Sequence, residues 1–272
     1  MLAKKISFIG FGRMGGALAA GALEAGAIRA DRVTVFDPDP AALRRAARLK
    51  FKKAATETDA VRAADIVFLC VKPQQMDDTL VRISGVAPSE RQKRCFVSIA
   101  AGVPIGRLQD RLGGGVPVIR VMPNTPALLR KGASALSRGA SAKAAHEKMV
   151  REVIEAVGDV VAVEERFMDA VTAVSGSGPA YVFYLAEAMT AAAESLGIDA
   201  DVAARLVRQT IFGAGAMLHE REESALELRQ QVTSPGGTTA AAIGRLDEKA
   251  CRAALVEAIR AAAARSAELS KI

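Results

Sequence analysis

The chain opens on a short β-rich run, Ile6-Ser7-Phe8-Ile9, which leads into Gly10-Phe11-Gly12-Arg13-Met14-Gly15 and then a helical stretch over 17–25 that Gly26 ends. A strand, a G-x-G-x-x-G turn and a helix in that order restrict the possible folds more than any other feature of the chain. The first glycine permits the tight turn, the second lets a pyrophosphate approach the backbone, and the third lets helix and strand pack closely. A second β-rich run over 32–36 ends in Asp37, about twenty residues beyond the last glycine, where a ribose-binding acid belongs. These features predict a dinucleotide site lined by Gly10, Phe11, Gly12, Arg13, Met14, Gly15 and Asp37.

Asp39 and Pro40 have the chemistry of an N-cap and a first helical residue for a helix over 41–49, which leaves Asp37 free. A carboxylate at that strand end would accept bonds from the ribose hydroxyls and repel a 2′-phosphate. Arg44 and Arg45 read as a solvated helix face. The expectation is a protein that accepts NADH at least as well as NADPH.

Strand and helix signals then alternate. A short strand near 51–54 precedes a helix over 57–63, and 65–71 is a nearly continuous apolar run, the pattern of a parallel strand buried on both faces. It ends in Lys72-Pro73-Gln74, and a helix follows over 76–83. Further strands are expected over 95–99 and 118–122, the latter ended by Pro123-Asn124-Thr125-Pro126. The carboxyl ends of such strands line the crevice where a doubly wound sheet binds its ligand, so Lys72, Pro73 and Asn124 are cofactor-site candidates. A β-type stretch over 133–136, a helix over 142–157 and a strand over 159–163 complete a dinucleotide-binding domain, 1–164.

From Glu165 the strand signals stop, and 165–272 reads as all-helical, with helices over 167–173, 180–196, 202–218, 224–231 and 240–269. Tyr181, Val182, Phe183, Tyr184 and Leu185 are consecutive, and a helix apolar all round must be buried. This half is too short to cover such faces alone, which predicts a homodimer or a larger homo-oligomer. Two uncharged, glycine- and hydroxyl-rich stretches open helices here: Ser175-Gly176-Ser177-Gly178-Pro179 and Ser234-Pro235-Gly236-Gly237-Thr238-Thr239. In each, a proline suits the first helical turn, and unpaired N–H groups at a helix start form a cradle for a carboxylate. Thr238 and Thr239 could also hydrogen-bond a neighbouring heteroatom.

Composition excludes several other classes. The net charge of +7 is spread along the chain without a dense basic block, so nothing points to nucleic acid, and small anions are mildly favoured. Cys70, Cys95 and Cys251 lie far apart with no C-x-x-C spacing, which suits free thiols in a reducing compartment. His146 and His219 stand alone, so neither a metal site nor a Ser-His pair is expected. The apolar N-terminus is broken by Arg13 and its glycines and is not read as a signal peptide. The uncharged run over 170–186 contains Ser175 to Pro179 and is not read as a membrane helix. A cytoplasmic enzyme is expected.

Dehydrogenases of β-hydroxy acids share a dinucleotide domain followed by helices, and carry G-x-G-x-x-x-K-x-x-x-N. Laid on Gly176 and Gly178, the Lys falls on Val182 and the Asn on Ala186. Alcohol oxidation therefore lacks its obvious general base. Reduction of a C=N bond is less demanding, since one hydroxyl can hold or deliver the proton.

Five segments, Gly10 to Gly16, Val71 to Gln74, Val121 to Pro126, Val174 to Tyr181 and Gln231 to Thr239, resemble those of the pyrroline-5-carboxylate reductases in order and spacing. The resemblance spans essentially the whole chain. It implies a Rossmann-type α/β domain followed by an all-α dimerisation domain, and reduction of pyrroline-5-carboxylate to L-proline by NADPH or NADH. It also implies dimers, in some members assembled into decamers. Carried over by position, Gly237 and Thr238 supply N–H groups to the substrate carboxylate and the Thr238 hydroxyl faces the ring nitrogen. Ser175, Ser177, Ser234, Gly236 and Thr239 wall the same pocket. Gly10, Gly12 and Gly15 meet the pyrophosphate, Asp37 the ribose, and Val71, Pro73 and Asn124 the nicotinamide end. Asp37 departs from the neutral or basic residues of many relatives, which leaves an NADPH preference open. A reductase of another imine or hydroxy acid, or a cofactor-binding protein without catalysis, are the remaining readings of the residues themselves.

Overall fold

The computed structural model describes residues 2–270. Eight strands, β1 (Ile6–Ile9), β2 (Val33–Phe36), β3 (Lys52–Lys53), β4 (Ile66–Leu69), β5 (Cys95–Ser98), β6 (Val118–Met122), β7 (Gly132–Arg138) and β8 (Gly158–Ala162), form one sheet in the order β3-β2-β1-β4-β5-β6-β7-β8. The first six run parallel, β7 is antiparallel to β6, and β8 is parallel to β7. Crossovers leave β1 on both sides, towards β2 and β4. The topological switch point therefore lies beside the glycine turn.

Both faces of the sheet are covered, which explains its continuous apolar runs. Phe8, Ile66 and Phe68 face one layer and Ile9, Val67 and Leu69 the other, all at most 1% exposed. The Phe8 and Phe68 rings stack at 4.9 Å across neighbouring strands. The helices of this half are α1 (Arg13–Glu24), α2 (Pro40–Arg48), α3 (Glu57–Arg62), α4 (Met76–Ile83), α5 (Pro88–Arg91), α6 (Ile105–Leu112) and α7 (Ala144–Glu155). Asp39 caps α2 as expected, its carboxylate accepting the Ala41 N–H at 2.8 Å. Neither α5 nor α6 is among the helices that the sequence predicts. For α6 the signal was present: Ile105, Leu108 and Leu112 are buried at helical spacing behind Pro104.

The remaining helices are α8 (Met168–Val171), α9 (Gly178–Ser195), α10 (Ala200–Glu220), α11 (Ala225–Gln231), α12 (Thr238–Glu248) and α13 (Cys251–Leu269). Between α8 and α9, Thr172–Gly176 forms a π-helical turn closed by the Ser177 N–H on the Thr172 carbonyl at 2.8 Å. The helix expected over 240–269 is in fact two helices. They part at Ala250, which takes the left-handed φ of 51° without being glycine, so the residue type carries no warning of the break.

The chain divides into two compact units. One runs to Ser177 and takes in the end of the chain from Ala262, and the other is Gly178–Ala261. In the first, Met168 and Ala173 are fully buried, and the Ser266 hydroxyl donates to the Asp169 carboxylate at 2.7 Å. The second has well-capped helices: Asp199 accepts N–H bonds at the start of α10, and Ser224 with Glu227 forms a capping box on α11. Within a single chain α9 buries no residue, and Phe183, Tyr184 and Phe212 are 61%, 76% and 69% exposed. Among the described residues no helix is long and apolar enough to cross a membrane.

Candidate active site

Each glycine of the first turn has a distinct steric reason. Gly10 has φ +91°, and a Cβ there would lie 2.7 Å from the Cys70 carbonyl oxygen, so both the turn and the approach to the next strand require glycine. A Cβ on Gly15 would lie 2.5 Å from the Gly10 carbonyl oxygen and 2.9 Å from the Cys70 Cβ, which is the close helix–strand packing expected of the third glycine. At Gly12 a Cβ would meet nothing within 4 Å. That open face caps α1 with no side chain and no acidic residue in the first turn, so its N–H groups are left for an anion. The cradle fits a pyrophosphate.

Phe11 contributes only backbone. Its ring turns into the core, 1% exposed, edge-on to Phe51 at 6.1 Å. Its N–H donates to Asp37 Oδ2 at 2.5 Å, while Asp37 Oδ1 accepts the Asp39 N–H at 2.8 Å. Arg45 Nη2 donates to the Phe11 carbonyl at 3.0 Å. Arg45 thus braces the glycine turn, a role that its helix-face position in the sequence did not suggest. Met14 packs against the core and Arg13 is exposed beside the turn.

A groove of about 700 Å³ runs along the carboxyl ends of β1, β2 and β4, lined by Gly10, Gly12, Asp37, Val71 and Lys72 among others. Four carboxylates border it, those of Asp37, Asp39, Glu57 and Asp78, against the cations Lys72 and Arg82. Glu57 is paired with Arg82 at 3.1 Å. Glu57, Arg82 and Cys70 also line the groove; no motif in the sequence marks them, and the parallel crossovers bring them there. Cys70 packs on Gly15, and burial pushes its thiol well above the ordinary range. Pro73 starts the turn Pro73–Gln75 after β4.

Asn124, at the end of β6, has its side-chain amide engaged within the protein. Its Oδ1 accepts the Ala133 N–H at 2.9 Å and its Nδ2 donates to the Ser175 carbonyl at 3.2 Å. Ser175 and Ser177 flank Gly176 in and after the π turn, and the Ser175 hydroxyl donates to the Ala133 carbonyl at 3.3 Å.

In the second unit, Ser234-Pro235-Gly236-Gly237 is a turn in which the Gly237 N–H donates to the Ser234 carbonyl at 3.0 Å and Gly236 takes φ +71°. Proline then glycine at the two central positions is the signature of a type II turn. This corrects two expectations. Pro235 lies in the turn and not in the first turn of a helix, and the Gly237 N–H is used by Ser234 and is not available to an outside carboxylate. The helix begins at Thr238, so the donors of its first turn are the N–H groups of Thr238, Thr239 and Ala240. Thr238 is exposed and Thr239 half-buried.

Comparison with known proteins agrees with this geometry. Residues 165–269 match the family model described as pyrroline-5-carboxylate reductase dimerisation, and residues 5–102 match that described as NADP oxidoreductase coenzyme F420-dependent. The pyrroline-5-carboxylate reductase of Pseudomonas aeruginosa is 42% identical over 275 residues, covering 100% of this chain and 98% of that protein. That of Methanosarcina acetivorans is 39% identical, covering 98% of each. Among solved structures, the Coxiella burnetii pyrroline-5-carboxylate reductase superposes with a TM-score of 0.92 at 34% identity over 100% of both chains. A Plasmodium falciparum pyrroline carboxylate reductase with NADP bound gives 0.88 at 27% identity over 99% of both. With its glycine turn, its groove at the switch point and full-length identity of this order, the chain belongs to the pyrroline-5-carboxylate reductase family.

Proposed function

We infer that this protein reduces 1-pyrroline-5-carboxylate to L-proline with NADPH or NADH, the last step of proline biosynthesis. The observation that carries the reading is the uncharged turn Ser234 to Gly237, which delivers Thr238 and Thr239 at the start of α12.

The nicotinamide, when bound, supplies the hydride. The chain's own residues bind and orient. Open N–H groups at Gly12 and the start of α1 would hold the pyrophosphate, Asp37 the ribose, and Val71 and Lys72, which line the groove, with Pro73 directly after them, would meet the nicotinamide end. The first-turn N–H groups of α12 would hold the substrate carboxylate, and the Thr238 hydroxyl would hold a proton at the ring nitrogen. Ser175, Ser177 and Ser234 are proposed as further substrate-side hydroxyls. Positioning carries most of the rate in such a site.

Asp37 and the excess of carboxylates along the groove support acceptance of NADH at least as well as NADPH, since a 2′-phosphate would be repelled. We propose 1–164 as the dinucleotide-binding part and 165–272 as the substrate and dimerisation part. The exposed aromatic rings of α9 and α10 support a homodimer, with a decamer as its higher assembly. The free thiols of Cys70, Cys95 and Cys251 support a cytoplasmic location.

The test is oxidation of NADH and NADPH followed in parallel with pyrroline-5-carboxylate. Turnover with either establishes the reaction. None with either, while both still bind, would redirect the search to other imines and 3-hydroxy acids.

A further inference from the structure

The β6–β7 pairing ends at Met122 and Ala135. The register that pairs Met122 with Ala135 sets Asn124 opposite Ala133, and there the Asn124 side chain takes over. Three bonds then close a ring. Ala133 N–H donates to Asn124 Oδ1, Asn124 Nδ2 donates to the Ser175 carbonyl, and the Ser175 hydroxyl donates to the Ala133 carbonyl. The amide can face only one way, because an N–H only donates and a carbonyl only accepts. Asn124 is 8% exposed, so its two bonds are shielded from bulk water, while the Ser175 hydroxyl bond lies at the surface.

The ring ties the end of β6 to Thr172–Gly176. That turn is already seated closely: a Cβ on Gly176 would lie 2.5 Å from Met122 Cε. π-Helical turns are uncommon, and single ones are found frequently at functional sites. This one carries Ser175 and Gly176 and is closed by Ser177.

We propose that Asn124 is a positioning residue: it holds the Ser175-Gly176-Ser177 turn in place for the imine carboxylate, and is not a contact to the dinucleotide. This rests on the function inferred above and replaces the sequence expectation that Asn124 meets the nicotinamide.

The test compares Asn124→Ala, Asn124→Asp and Ser175→Ala with the unaltered protein. Asn124→Asp keeps the acceptor for Ala133 and sets an anionic oxygen against the Ser175 carbonyl in place of the donor, so it breaks the arm that reaches the turn while retaining the bond to β7, even if Asn124→Ala folds poorly. The readouts are hydrogen exchange over 172–177, the NADH dissociation constant by nicotinamide fluorescence, and KM and kcat for pyrroline-5-carboxylate. In both Asn124 variants, exchange over 172–177 rises and KM for the imine rises about tenfold, the size expected for one buried hydrogen bond left unmade. NADH affinity stays within about twofold, because no dinucleotide contact is lost. Ser175→Ala shifts exchange and KM in the same direction.

NADH affinity weakened about tenfold with the imine KM unchanged would overturn the proposal in favour of a cofactor contact. Unchanged exchange over 172–177 in Asn124→Asp would overturn it as well, as would exchange raised equally over the whole sheet. If the unaltered protein does not turn over the imine, the function inferred above fails, while the exchange and NADH arms still judge the role of Asn124.

Discussion

Asp37 holds Phe11 by its backbone: the carboxylate accepts the Phe11 N–H at 2.5 Å, so the acid at the end of β2 and the glycine turn after β1 are locked together. Its other oxygen accepts the Asp39 N–H at 2.8 Å, which fixes the charge at the edge of the groove. Removing that charge while keeping an acceptor, as in Asp37→Asn, raises kcat/KM for NADPH relative to NADH by at least about tenfold, since like-charge juxtaposition costs several kcal/mol. Steady-state kinetics with both cofactors check this, and an unchanged ratio removes Asp37 from specificity.

The glycines of the turn separate stability from binding. Gly10→Ala forces φ +91° on a residue with a Cβ and presses it against Cys70, so it lowers the melting temperature, with a cost on the order of 1–3 kcal/mol. Gly12→Ala meets nothing within the chain and leaves the melting temperature unchanged, but fills the face where a pyrophosphate would lie. Calorimetry and NADH titration of the two variants distinguish the roles; equal effects on both would refute them.

Thr238 opens α12 and is exposed, so its hydroxyl is not needed by the fold. Thr238→Ala lowers kcat by about 10- to 1000-fold, the range for one lost proton donor or charge stabiliser, and Thr238→Ser restores most of it. Unchanged kcat in the alanine variant assigns the proton to another group.

Burial pushes the Cys95 thiol up to about 12, while in the unfolded chain it titrates near the ordinary thiol value of 9.0. The folded state thus favours the neutral form. The associated stability is complete below the unfolded value and is lost as pH rises from about 9 towards about 12. Thermal unfolding followed across this window shows a steeper alkaline decline in the native protein than in Cys95→Ala. At pH 8 a thiol reagent modifies the exposed Cys251 first.

The α9 and α10 aromatics predict a dimer. Sedimentation velocity at micromolar concentration gives a dimer or larger, and Tyr184→Glu shifts it towards monomer. A native monomer would contradict the reading.

The dinucleotide half was legible because its signals are local. Ile6 to Gly15 states strand, turn and helix in consecutive residues, and the nearly continuous apolar run ending in Val71 states burial on both faces. Asp39-Pro40 marks the start of α2 in the same way. The edges of the second half were less legible. Ala250 breaks a helix with a residue that favours helices, the π turn at Thr172–Gly176 has no composition of its own, and the first unit reclaims the chain end from Ala262.

By itself the sequence determined the order of the strands, the glycine turn, the acid at the end of β2, and the family, since each depends on residues close together in the chain. Only the tertiary structure decided which polar groups remain available. Gly237 spends its N–H on Ser234, Asn124 spends its amide on Ala133 and Ser175, and Arg45 reaches Phe11 from a helix face. The physical reason is that every backbone and side-chain donor in a folded chain seeks the nearest acceptor. For Asn124 and Arg45 that acceptor lies far away in sequence and close only once the sheet is wound.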